Sequence, residues 1–320
     1  MIRKAVALIA LIALAASSLA AAQDYPNKPM HMYVAFPPGG PTDIIARLLS
    51  TQLSAQLGQP VVVENKVGAS GNLATQEVAK AAADGYTMLI HSSAYAVNPT
   101  LFHNAGYDPA KDLTAVAVVA QQANIILVNA SFPAKTLEDL KRAMQKGKLA
   151  FASPGTGTTP HLTAENLFHG HWKADATHVP FKGAGPAVAG ILSGQPPIGC
   201  MAGSGPMSNI KAGKFRALAV SSAKRLAQLP DVPTLDELGY PGMEDYTWVG
   251  LFVPAATPRS IVEKLNAAVL KAVKNPQMKQ RLDALAFEVT AAPLDETQRY
   301  VKSEVAKWAK VVKETGAKVD

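Results

Sequence analysis

The chain has 320 residues, 48% of them hydrophobic, with a formal net charge of +7 and a single cysteine, Cys200. One cysteine excludes an intramolecular disulfide and a cysteine-built metal site. The positive balance lies in scattered lysines with no arginine-rich run interleaved with aromatics, which argues against nucleic acid and suits either an anionic ligand or a merely soluble surface.

The amino terminus carries Arg3 and Lys4, an apolar run over residues 5–16 and Ala20-Ala21-Ala22. A charged start, a short apolar stretch and an A-x-A site predict a secretory signal over residues 1–22, cut after Ala22. No later stretch rivals that apolar run, so the mature chain is expected to be soluble and exported, and long enough for two domains.

Residues 30–36 read as a strand, and the next helix shows Ile44, Ile45, Leu48, Leu49, Leu53 and Leu57 at i, i+3 and i+4 spacing. Between them lies Phe36-Pro37-Pro38-Gly39-Gly40-Pro41-Thr42-Asp43. Glycines 39 and 40 permit a turn with unshielded amides, and Pro41 suits the first helical position. Free N–H groups at the positive end of a helix hold an anion, although a tight strand-to-helix turn needs the same residues. Gly58 ends the helix, residues 61–63 form a buried strand, and a glycine-bearing loop over residues 64–72 opens a second helix. Residues 86–90 form a strand that delivers the hydroxyl cluster Ser92, Ser93 and Tyr95 at its carboxyl end, where open α/β sheets place ligands.

Residues 113–129 are apolar and long enough for two strands broken near Gln121-Gln122, the expected first crossing between domains. Thr136 with Asp139 forms a capping box for a helix through Met144. A short strand over residues 149–152 then enters Ser153-Pro154-Gly155-Thr156-Gly157-Thr158-Thr159-Pro160-His161, which repeats the glycine, hydroxyl and helix-starting proline of the first loop. Two such loops suggest two half-sites. A strand over residues 177–181, the loop Lys182-Gly183-Ala184-Gly185, a helix, a strand over residues 198–202, Gly203-Ser204 and a strand over residues 216–221 follow. Residues 247–253 are the expected return crossing. Helices over residues 258–274 and 276–285, a strand over residues 287–290 and a helix over residues 295–315 complete an α/β pattern with mainly parallel sheets.

Several of these stretches, in this order and spacing, resemble the solute receptors of tripartite tricarboxylate transporters, the Bug proteins. The resemblance rests on residues 25–29, Pro38 to Asp43, Glu64-Asn65-Lys66 with Gly68 to Asn72, Ala83 to Thr87, Asn98-Pro99, Ser153 to Leu162 and Val179 to Gly183, and covers nearly all of the mature chain. It implies a type II periplasmic binding fold: two α/β lobes joined by two crossing strands with a cleft between them. The expected lobes are residues 23–122 with 250–320, and residues 123–249. It further implies a periplasmic receptor that captures a small organic carboxylate, aliphatic or aromatic and di- or tricarboxylic, and hands it to membrane permease subunits. A monomer without cofactor, metal or catalytic activity is expected. The family's ligand-binding positions map to Phe36, Gly39, Gly40, Thr42, Ser92, Ser93, Tyr95, Ser153, Thr156, Gly157, Thr158, His161, Lys182, Ala184, Gly203 and Ser204. One departure is that residues 196–203 lack the family aspartate that could meet a ligand ammonium, which favours a ligand without an amino group.

Residue by residue, Asp43 is read as a cap on the loop amides. Thr42, Thr156 and Thr158 suit either ligand donors or helix caps. His161 suits a cleft donor or an ordinary histidine, and Phe36 and Tyr95 suit a cleft wall or core. The histidines show no metal spacing. Rival readings are a sensor component that binds the same ligand, and an exported α/β hydrolase using Ser204 or Ser92, for which no G-x-S-x-G elbow is present.

Overall fold

The structure, a computed structural model, describes residues 25–315. The expected export signal lies outside the described residues. The first sheet is built on β1 (Met30–Val34), which pairs in parallel with β2 (Val61–Asn65) and β3 (Thr87–Ser92). β4 (Leu113–Asn129) runs antiparallel to β9 (Tyr246–Pro254), and β9 in turn lies antiparallel to β3. In the second sheet β5 (Leu149–Ser153) lies parallel to β6 (Ala176–Pro180) and β7 (Ile198–Ala202). β7 and β8 (Phe215–Val220) run antiparallel to the carboxyl half of β4, and β10 (Glu288–Val289) pairs with its centre.

β4 therefore belongs to both sheets. Its residues 113–123 pair with β9, and residues 124–129 pair with β7 and β8. The sequence predicted a break near Gln121-Gln122, whereas the strand runs unbroken. The glutamines lose nothing by burial there: Gln122 donates to the Leu285 carbonyl at 2.9 Å and accepts from Ser204 at 3.0 Å. Register shifts at residues 115–117, 118–120 and 126–127 bend the strand without interrupting it.

Each sheet is covered on both faces, as parallel sheets require. In the first lobe, α1 (Pro41–Leu57), α8 (Arg259–Ala272) and α9 (Pro276–Ala284) cover one face, where Ile45, Leu49, Leu53, Val262 and Leu265 meet Met32, Met88 and Leu251. The other face carries α2 (Asn72–Ala79), α3 (Ala94–Leu101) and α10 (Leu294–Thr315) around Tyr95, Trp248 and Phe252. In the second lobe, α4 (Leu137–Lys146) and α5 (Thr159–Glu165), continued by a π-helical turn over Asn166–His171, cover one face. α6 (Ala184–Ser193) and α7 (Met207–Lys211) cover the other. This is the two-lobed α/β architecture expected from the sequence. α3 was not legible there, because Pro99 lies inside it and its first turn carries Tyr95 of the hydroxyl cluster.

The Thr136 capping box forms as predicted, with reciprocal bonds between Thr136 and Asp139. Thr136→Ala should cost about 1 kcal/mol, and Leu49→Ala, a fully buried side chain on α1, about 2–5 kcal/mol. Urea unfolding of the two variants checks the difference, and equal losses would contradict this layering.

Candidate ligand-binding site

Three strand-to-helix loops from the two lobes end at one small cavity. Its wall is Phe36, Pro37, Gly40, Pro41, Thr42 and Ser92 from the first lobe, with Pro154, Thr158, Thr159, Pro160, Gly183, Ala184, Ala202 and Thr247. The cavity volume is about 40 Å³. An ideal Cβ on Gly40 would lie 3.9 Å from the Ala184 Cβ, and one on Gly183 would lie 2.8 Å from the Pro37 ring, so the loops face each other closely.

α1, α5 and α6 all begin at this wall, which brings three positive helix ends together. The amides of Gly40, Thr42, Thr159 and Ala184 have no acceptor among the described residues. The Thr42 hydroxyl is 2% exposed at the residue level and also has no partner. Ser92 Oγ accepts from the Ala94 amide at 3.3 Å, which leaves its own hydrogen free. No charged side chain lines the cavity. Unpaired donors, helix ends and no carboxylate make a place for negative oxygen.

Asp43 does not oppose this. Its carboxylate turns away, accepting from the Gly39 amide at 3.0 Å, from Arg47 Nε at 3.0 Å and from Asn65 Nδ2 at 3.0 Å. Burial alone would raise its pKa, but the bonds from Arg47, Gly39 and Asn65 outweigh that and hold it below the usual carboxylate range. The cap pins Gly39 at φ +83°, a turn that only glycine makes without strain.

Of the positions mapped from the sequence, Phe36, Gly40, Thr42, Ser92, Thr158 and Ala184 meet at this cavity. Thr156 and Lys182 line a larger neighbouring chamber of about 460 Å³ that shares Phe36, Pro37, Pro154 and Gly183 with it, and among the described residues Lys182 is the one charged residue in its lining. The others sit elsewhere. The Gly39 amide is used by Asp43. Tyr95 is core, stacked on Tyr107 at 5.3 Å and bonded to the Pro109 carbonyl. Ser153 is buried behind the loop, with Oγ 2.7 Å from His178 Nε2. Gly157 packs on Leu101 and Asn98 of the other lobe and donates its amide to His161 Nδ1 at 3.2 Å. His161 stacks on His178 inside the second lobe. The Gly203 amide bonds the Ala123 carbonyl, and Ser204 bonds Gln122, both at the crossing strands. Ser93 lies just behind the wall, 3.0 Å from Thr159 Oγ1. Thr247 and Ala202 join the wall unforeseen. Ala202 carried no signal, and Thr247 lies in a strand whose pattern reports burial alone.

Neither Ser92 nor Ser204 has an imidazole on its hydroxyl; His91 Nδ1 reaches only the Ser92 carbonyl. His161, Glu165 and His178 place one potential metal-ligating atom each within 4.8 Å of one another. The two rings stack at 3.9 Å with planes 22° apart, so they do not aim lone pairs at one ion. Burial, and then the neighbouring His161, push His178 down to about 3.

Two lobes on shared strands, with ligand-ready helix ends between them, define a type II periplasmic binding protein. A family model described as tripartite tricarboxylate transporter family receptor matches residues 45–317. The chain belongs to that family, and it is a solute-binding receptor of the Bug type. The solved structure of the periplasmic binding protein BugD is 34% identical, with a TM-score of 0.87, covering 92% of this chain and 99% of that one. Rpa4515 of R. palustris, solved with adipate, gives 34% and 0.87 over 92% and 99%. MatC from Rhodopseudomonas palustris, solved with bound malate, gives 34% and 0.84 over 90% and 100%. Among the described residues no helix is long and apolar enough to cross a membrane.

Asp245, at the crossing strands, has one oxygen without a partner, and burial pushes its carboxyl up to about 7 from an ordinary 3.8. Between those values the native chain keeps a proton that the unfolded chain has lost. Stability contributed by this group therefore falls as pH rises through that window. Asp245→Asn should flatten the change in urea midpoint between about pH 4 and pH 8, and an unchanged slope would place its origin elsewhere.

Proposed function

We propose that this chain captures a small organic carboxylate in the inner cavity, with its lobes closing about β4 and β9, and delivers it to the membrane subunits of a tripartite tricarboxylate-type transporter. The site residues are the cavity lining, with Thr42 as the observation that carries the reading: a buried hydroxyl without a partner, beside free helix-end amides and away from any negative side chain. Carboxylate bound to such groups forms charge-assisted hydrogen bonds in a place that sheds water on closure. The adipate and malate found in its relatives belong to the same chemical class. The reading also places the working protein in the periplasm after removal of residues 1–22, and divides it into residues 23–122 with 250–320 and residues 123–249.

A cavity of about 40 Å³ has space for only one or two waters. The liganded form is therefore wider, and binding requires the lobes to part. Cross-lobe hydrogen bonds hold the closed form: Ser70 Oγ to the Thr156 carbonyl at 2.6 Å, and Ser93 to Thr159 at 3.0 Å.

A thermal-shift titration with succinate and adipate tests the reading, because a ligand that binds only the native state raises its apparent stability. Both acids should be screened at millimolar concentration, and at least one should raise Tm. Gly40→Leu, which fills the space before Ala184, should abolish the rise. A full response in that variant would refute the assigned cavity.

A further inference from the structure

The cavity hydroxyls are not alike, and the hydrogen bonds behind them determine which can donate. Asn124, fully buried, gives its Nδ2 hydrogens to Asp245 Oδ2 at 3.0 Å and to Thr163 Oγ1 at 3.0 Å. The one hydrogen of the Thr163 hydroxyl has two acceptors in reach, the same carboxylate oxygen at 2.7 Å and the Thr159 carbonyl at 2.9 Å. With its amide so oriented, Asn124 presents Oδ1 to Thr247, whose hydroxyl donates to it at 2.8 Å. A hydroxyl has one hydrogen and two acceptor sites. The 2.7 Å contact between Thr159 and Thr247 must then use the hydrogen of Thr159, and the 3.0 Å contact between Ser93 and Thr159 must use that of Ser93. Thr158, also on the wall, spends its hydrogen on the Gly155 carbonyl at 2.7 Å. The hydroxyls of Thr158, Thr159 and Thr247 therefore offer the cavity lone pairs only, while those of Thr42 and Ser92 offer hydrogens.

We infer that this wall selects a carboxylic acid that also carries a neutral hydrogen-bond donor, a hydroxy acid, and that Asp245 is a positioning residue that sets the donor direction through Asn124 and Thr247. The inference rests on the proposed carboxylate reading and deepens it. The carboxylate meets the helix ends, Thr42 and Ser92; the ligand hydroxyl donates to the threonine wall. An acid without that hydroxyl leaves the acceptors dry and unpaired on closure, which costs affinity. An ammonium in its place would be buried where no carboxylate lines the cavity, and Ala202 supplies none.

Removing the negative charge at Asp245 loosens the order. Protonation at the partnerless Oδ1 leaves Oδ2 a weaker acceptor, so the Asn124 amide is held less firmly in the orientation that makes Thr247 an acceptor toward the cavity. The ionisable groups that feel Asp245 are Glu304, Lys307 and Tyr300 on α10 and Cys200 on β7. Burial holds the Asp245 carboxyl near neutral pH, so the hydroxyl preference should be larger at about pH 8.5 than at about pH 6.

The test is calorimetric titration of the purified chain with four probes of one carbon frame: succinate, malate, 2-methoxysuccinate and aspartate. Malate should bind about tenfold tighter than succinate, the scale of one buried hydrogen bond made rather than left unpaired. Methoxysuccinate and aspartate should bind no tighter than succinate. Thr247→Val, which keeps the shape and removes the acceptor, and Asp245→Asn should both bring the malate-to-succinate ratio close to one, chiefly by weakening malate. Only the Asp245 variant should also lose the pH dependence of the ratio, which a structural role would not predict. Equal binding of malate and succinate, or tight binding of the methyl ether, would overturn this inference and leave the carboxylate reading standing. Failure of all four acids to bind would overturn both.

Discussion

Backbone N–H groups at the start of a helix have no partner within it, and here three helices leave such groups around the same small space. Gly40, Thr42, Thr159 and Ala184 all line the cavity with amides that no described residue accepts. Leaving polar groups dry is costly, so they are normally paired with a side chain, water or ligand. Elsewhere in this chain that happens locally: Thr136 and Asn275 cap their own helices, and Asp43 takes the Gly39 amide. At the cavity no capping side chain is supplied. The rest of the fold can be understood as the scaffold that carries these three helix ends to one place while keeping carboxylates away from it.

The scaffold also has to let a ligand in. The proposed closure would turn on β4, one continuous strand that pairs in both sheets, with β9 alongside its first half, so that neither core is broken. The polar residues on these strands are paired to neighbours at the crossing: Gln122 to Leu285 and Ser204, and Asn124 to Asp245 and Thr163. The same network continues through Thr247 and Thr159 to Ser93 in the opposite lobe. Crossing strands and cavity wall are thus one hydrogen-bonded system.

Much of this was legible in the sequence, for a physical reason. Glycine pairs, a proline at the first helical position and apolar residues at helical spacing report local backbone demands, and they located the first two loops that face each other. The capping box and the Gly58 helix end are local in the same sense. What could not be seen were facts set by distant partners. Thr247 reaches the wall because β9 crosses beside it, and Tyr95 leaves the site because Tyr107 and Phe252 take its ring into the core. The apparent break at Gln121-Gln122 was a polarity signal with a tertiary explanation: the amides are satisfied across the lobe boundary, so the strand continues. The histidines behind the second loop came together only through the packing of α5 on β6, which residue spacing does not encode.

The most direct measurement is a nuclear magnetic resonance titration of the deuterated chain with a carboxylate, following the amide protons of Gly40, Thr42, Thr159 and Ala184. The account predicts that amides from both lobes shift downfield together with one binding isotherm, as each gains the same charged acceptor. Silence at these four positions while a carboxylate binds elsewhere, or a response from one lobe alone, would contradict it.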